Sequence, residues 1–299
     1  MHSHQRHDLW RAAIGGAVVA LSLTLLSADP ASATPFLSAF TQPGGSNGGC
    51  VGGGGSISSG APVSSEIICT DSLHTASAEA TAILGSLGAE AHGLEFFGFS
   101  STFAGGTAFY SDTVVFSGPG TGPISATLNV HFGGSLNSTD GAGATVNATA
   151  SLAGSTVGSI VLGVHNGVLD FCENTFIAPT CGTSPDGTLS GSSVLVDLNT
   201  PVPVALRLEV GAGANGIAAS ATSLFSTTLS FATGGPVFDL PAGFTANAGD
   251  YLVNNRFITE ATPVPEPSTL ALVVAGIFCL ATRRRTAGFL RPPGTRKQI

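Results

Sequence analysis

Charge is scarce in this chain. Asp, Glu, Lys and Arg make up 9% of it, against about 25% in an ordinary globular domain. The scarcity does not signal disorder, because apolar residues still supply 43% and a disordered segment combines low hydrophobicity with high net charge. Positive charge is rarest between Thr34 and Thr262, where the two arginines Arg207 and Arg256 stand against fifteen acids, a net −13. Such a body repels phosphate backbones and argues against nucleic acid as a partner. Long apolar runs are missing too: the two terminal ones reach only about 15 residues each, too little for a polytopic membrane protein. The lone tryptophan, Trp10, lies near the N-terminus, and the body has only Tyr110 and Tyr251. That leaves little of the Trp and Tyr lining a glycosidase cleft would need.

Signature spacings are absent as well. There is no C-x-x-C or H-E-x-x-H for zinc, no D-x-D-x-D-G for calcium and no G-K-[ST] for a phosphate loop. Gly211 to Gly216, GAGANG, fits G-x-G-x-x-G. A dinucleotide site needs a helix next, and the following IAASATSLFSTTLSF alternates like a strand, so the run reads as a Gly-rich hairpin turn. Gly44 to Gly48, GGSNG, fits G-x-S-x-G. A nucleophile elbow needs a strand before it and a helix after it, whereas this match sits in a glycine run. His74, His92, His131 and His165 share no metal-binding spacing, although Glu90, His92 and Glu95 cluster locally, as do Asp170 and Glu173. We therefore expect no catalytic residue, no metal and no cofactor.

Glycine, by contrast, is abundant, at 41 residues. The run from Pro43 to Gly60, PGGSNGGCVGGGGSISSG, predicts a flexible loop or linker. Beyond it, alternation with period two recurs at Leu128 to Phe132, Val194 to Leu198, Val204 to Val210 and Phe225 to Phe231. Each fits a strand with one buried face. Turn signals separate such segments at Gly118-Pro119-Gly120, Gly133-Gly134, Asp140-Gly141, Asn166-Gly167, Asp186-Gly187 and Gly234-Gly235-Pro236. The one helix candidate, ASAEATAILGSLGAEA from Ala76 to Ala91, reads equally as strand. Many short strands with Gly-rich turns predict an all-β protein, a single β-sandwich or jelly-roll-like domain.

Of the five cysteines, Cys279 lies in the apolar run near the C-terminus. Cys50 with Cys69 and Cys172 with Cys181 are near pairs that can oxidise after export. Four cysteines allow three pairings; local pairing is the expectation.

Both ends carry address signals. Arg6 and Arg11 precede an apolar run from Ala12 to Leu26, and SADPASA follows, ending in Ala31-Ser32-Ala33. A basic region, an apolar core and an A-x-A site define a secretion signal, cut after Ala33. At the other end Pro263-Val264-Pro265-Glu266-Pro267 holds the chain extended. A short apolar run from Leu270 to Ala281 follows, and then Arg283-Arg284-Arg285, a basic block that stays cytoplasmic.

In order and type these three C-terminal elements, with Val264-Pro265-Glu266-Pro267-Ser268-Thr269-Leu270-Ala271-Leu272 at their head, resemble the PEP-CTERM sorting signal of Gram-negative bacteria. The resemblance implies that a membrane-embedded exosortase recognises Pro265, Glu266 and Pro267 and removes the anchor. It also implies an organism that makes an extracellular polysaccharide matrix. The expected organisation is a signal peptide at 1–33, a Gly/Ser-rich segment at 34–62 and a β-sandwich at 63–262. A sorting signal with a transmembrane helix follows at 263–285, and then a basic tail at 286–299. The expected protein is non-enzymatic, an exported matrix component of structural or adhesive role, anchored in the inner membrane until processed. Possible partners are the exosortase and extracellular polysaccharide. The alternatives are a calcium- or carbohydrate-binding module and a secreted hydrolase.

Overall fold

The computed structural model describes residues 35–45, 53–70, 74–96, 101–177, 181–249 and 251–258. The signal at Ala31 and Ala33, the sorting residues Pro265, Glu266, Pro267 and Arg283 to Arg285, and Cys50 lie outside these. The described residues form strands, turns and bends, without a helix. The strands are β1 (Phe36–Gly45), β2 (Gly54–Ser59), β3 (Val63–Thr70), β4 (His74–Ile83), β5 (Ser86–Glu95), β6 (Thr102–Ser117), β7 (Ile124–Gly133), β8 (Ser135–Ser138), β9 (Ala142–Leu152) and β10 (Ser155–His165). They continue with β11 (Val168–Asn174), β12 (Asp186–Ser190), β13 (Val194–Val196), β14 (Pro201–Ala214), β15 (Ser220–Phe231), β16 (Phe238–Asp239), β17 (Thr245–Asn247), β18 (Leu252–Val253) and β19 (Arg256–Phe257).

Two large open sheets result, with a small two-stranded one of β18 and β19. The first runs β11-β10-β9-β14-β6-β1-β2, with β17 also on β6. The second runs β12-β7-β15-β5-β4-β3, with β13 and β16 on β7 and β8 on β15. Every pairing between named strands is antiparallel. Alternate residues of each long strand are buried, as along β6, where Ala104, Ala108, Tyr110, Val114 and Phe116 turn inward. The two inward faces meet as one core.

That core is a wedge. At one end it is built of alanine: Ala76, Ala78, Ala80 and Ala82 on β4, Ala89 and Ala91 on β5, and Ala104, Ala108, Ala212 and Ala214 opposite. Small side chains let the sheets close, and Cα atoms of β5 and β6 come within 8 Å across the gap, below the ~10 Å usual for stacked sheets. A Cβ on Gly106 would stand 2.8 Å from the carbonyl oxygen of Glu79, so only glycine fits there. Toward the other end the core is filled by rings. Tyr110 meets Phe231 at 5.5 Å, Phe116 meets Phe238 at 5.1 Å and Phe132 meets Phe225 at 5.4 Å. Each buried ring contributes on the order of 1.5–3 kcal/mol.

Three expectations need correction. The Gly/Ser-rich run is not a linker throughout, because β2 lies within it and β1 ends in it, and both belong to the first sheet. Glycines 53 and 55 lie under the ring of Phe40, so pairing and cover supply order that composition denies. The helix alternative over Ala76 to Ala91 gives way to the β4–β5 hairpin, whose inward alanines alternate with Ser77, Glu79 and Thr81. Gly211 to Gly216 is no hairpin turn either: Gly211 and Gly213 are inside β14, and the following residues carry the chain from the first sheet to β15 in the second. Of the turn signals, Asn166-Gly167 joins β10 to β11 with φ of 51° and 75°, the pair of positive values a type I′ hairpin requires. Asp186-Gly187 instead opens β12.

Candidate functional site

Folding divides Glu90, His92 and Glu95 between the two faces of β5. Glu90 and His92 point outward from β5, with His92 Nε2 3.7 Å from Glu90 Oε2. Glu95 turns inward, fully buried, directly opposite buried His74. Thr102 Oγ1 donates to Glu95 Oε2 at 3.2 Å. Asp170 is the extra residue of a β-bulge, between Leu169 facing Val164 and Phe171 facing Gly163. His131 Nε2 lies 3.4 Å from Asp186 Oδ1 at the surface.

Register creates a different cluster on the outer face of the second sheet. Glu66, Glu79 and Glu90 stand side by side on β3, β4 and β5. Together with Ile68, Ser77 and His92 they line a shallow open depression. Like charges at directly opposed positions destabilise a sheet. Among the described residues no group of three or more His, Cys, Asp or Glu is placed to hold a metal ion.

A buried polar group lies at the ring-filled end of the core. Tyr110 donates its hydroxyl to Asp112 Oδ2 at 3.5 Å and shares a 2.9 Å hydrogen bond with the Tyr251 hydroxyl. Burial pushes the Asp112 carboxyl up from an ordinary 3.8 to about 6, against the opposing effect of hydrogen bonds from the Thr113 N–H and the Tyr110 hydroxyl. Burial and the neighbouring carboxylate both raise Tyr110. This group clasps the end of the body. Asn255 accepts from the Phe238 N–H at 2.8 Å and donates to the Phe238 carbonyl, and the Phe257 ring lies tilted by 58° against Phe231 with centroids 5.9 Å apart. Folded structure is thus described up to Ile258, five residues before the sorting segment begins.

Cys172 and Cys181 form a disulfide with Cα atoms 5.9 Å apart, as local pairing anticipates. Cys69 is also disulfide-bonded; Cys50, its expected partner, lies outside the described residues.

The outer face of the first sheet was not anticipated. Phe36, Phe40 and Phe103 are each exposed there by more than 40%. It carries few charges: Arg207 Nη2 donates to Glu209 Oε1, Asn147 Nδ2 donates to Glu209 Oε2 at 3.1 Å, and Glu173 stands exposed on the edge strand β11. Each of these phenylalanines falls at an outward position of its strand, but only the pairing of the strands brings them onto one face.

An all-β body tied to a short C-terminal address defines the class as a sorted, exported protein. The family model of the PEP-CTERM protein-sorting motif matches residues 263–285, so the chain carries a PEP-CTERM sorting signal, which indicates export and sorting by an exosortase. No curated protein and no solved structure matches the chain.

Proposed function

We propose that this protein is a non-enzymatic component of the extracellular matrix or envelope, structural or adhesive in role, delivered by exosortase. The sorting motif carries the reading, since it implies export to the surface or outside the cell. On this reading the precursor is held in the inner membrane by its C-terminal apolar run until Pro265-Glu266-Pro267 is recognised, and the body folds as one β-sandwich. Two stacked antiparallel sheets, a body cross-linked by disulfides and a clasped C-terminal hairpin support it. They describe a body that keeps its fold once the address is removed.

Intact mass and location of the native protein test the proposal, in cells with and without the exosortase. A species running from Thr34 to the Pro-Glu-Pro region, found outside the cell only when the exosortase is present, is the expected result. A species still ending at Ile299 and held in the inner membrane of both strains would sink the matrix role. A calcium- or carbohydrate-binding module is the second reading, suggested by the acidic body; a melting temperature indifferent to calcium and to glycans removes it.

A further inference from the structure

The outer face of the first sheet carries a line of aromatic rings. One cross-strand row runs from Phe171 through Gly163, Thr145, Gly211 and Gly105 to Gln42. Three rings lie over glycines along or beside it. Phe171 covers Gly163, Phe103 spans Gly105 and Gly211, and Phe40 spans Gly53 and Gly55. Several atoms of each ring crowd the space where a glycine Cβ would stand, with Phe103 Cζ 3.2 Å from that position on Gly105 and 3.9 Å on Gly211. The rings therefore lie along the sheet and show their faces to solvent. They are 40%, 49% and 48% exposed for Phe171, Phe103 and Phe40.

Their spacing is regular. In the strand order the rings sit over β10, between β14 and β6, and over β2. Successive rings are thus separated by two and a half strands, roughly 12 Å at ~4.8 Å per strand. Exposed Thr145 and Gln42 fill the gaps, offering a hydroxyl and an amide. Flat rings at a constant interval, with hydrogen-bonding groups between them, match a linear polymer of repeating flat units.

We propose that this line is a binding track for a neutral linear polysaccharide. A pyranose ring lays a face of C–H groups on the negative face of an aromatic ring, while its hydroxyls reach the polar side chains between. The net −13 of the body repels acidic polysaccharides. The proposal rests on the matrix reading above, and it names the partner and the surface.

Affinity electrophoresis tests it, with the protein as the cells export it. The gels carry hydroxyethyl cellulose, galactomannan or, as the acidic counterpart, alginate. Retardation by a neutral polymer and not by alginate is expected. Phe103→Ala, Phe40→Ala and Phe171→Ala should each weaken retention about tenfold, the scale of one aromatic contact. Phe36→Ala should leave it unchanged, because Phe36 packs edge-on against Phe109, off the line. Phe103→Trp, with a larger ring, should strengthen it, which separates lost contact from lost fold. The track is refuted by passage through both neutral gels without delay, by equal loss in Phe36→Ala, or by retardation in alginate. A dimer abolished by Phe103→Ala in sedimentation would reassign the face to self-association. A protein found in the matrix yet not retarded sinks only the track, whereas one held at the inner membrane sinks the matrix reading itself.

Discussion

Closing the narrow end of the wedge depends on Gly106, and Gly106→Ala tests how tightly. The new methyl would stand 2.8 Å from the Glu79 carbonyl oxygen and 3.4 Å from that of Glu90. Both oxygens belong to backbone, on β4 and β5, each of which is paired on both sides within the second sheet. Neither can yield like the tip of a flexible side chain, so relief requires the sheets to part locally. Overpacking of this kind costs about 1–3 kcal/mol. Alanine in place of glycine in a strand returns roughly 0.5–1 kcal/mol through reduced unfolded-state freedom. From the midpoints the net is a loss of about 1 kcal/mol. At roughly 2–4 °C per kcal/mol for a body of this size, the melting temperature should fall by about 2–4 °C in calorimetry with disulfides intact. Gly122→Ala is the control: a Cβ there meets nothing within 4 Å, and the melting temperature should hold or rise by about 1–4 °C. A Gly106→Ala protein that melts at or above the wild type would refute the wedge, because the sheets would then have room to spare.

Three further outcomes follow from single residues. Asp112 has a folded pKa near 6, raised from 3.8, so the folded state holds its proton more tightly than the unfolded state. Stability is therefore fully supported below about pH 4 and declines as pH rises to about 6; urea melts across that range should show the slope, and Asp112→Asn should flatten it. Ala153 holds φ at 53° beside Gly154 at 77° in the β9–β10 turn, a conformation that costs alanine roughly 1 kcal/mol. Ala153→Asn should thus raise the melting temperature by a few degrees, and a fall would show that the turn tolerates alanine for another reason. Cys172→Ser opens a loop of sequence separation 9, which should cost at most about 2.7 kcal/mol in a denaturant titration, with an unchanged midpoint ruling out a stabilising cross-link.

What the sequence reveals depends on how locally each feature is encoded. The sorting segment is encoded in consecutive residues, so its proline, apolar and arginine elements are legible from order alone. Strands β7, β14 and β15 are nearly as plain, because Val, Leu and Phe contrast with the polar residues between them. In β4 and β5 the inward residues are mostly alanine and the outward ones serine, threonine, glutamate or histidine, a contrast too weak to separate strand from helix. Alanine is there because the sheets come close, a fact about the opposite sheet. The order of β2 is likewise supplied by pairing with β1 and by the ring of Phe40. Nothing local announces the line of Phe171, Phe103 and Phe40, which are scattered over more than a hundred positions and are aligned only by the register of seven strands. Because successive side chains alternate between faces, a slip of one residue in β6 would drive Phe103 into the alanine end of the core, where the sheets leave no space for a ring. The tight packing inside therefore enforces the register that lines up the rings outside, and substitutions that loosen the narrow end, Gly106→Ala first among them, should disturb the outer row without touching it.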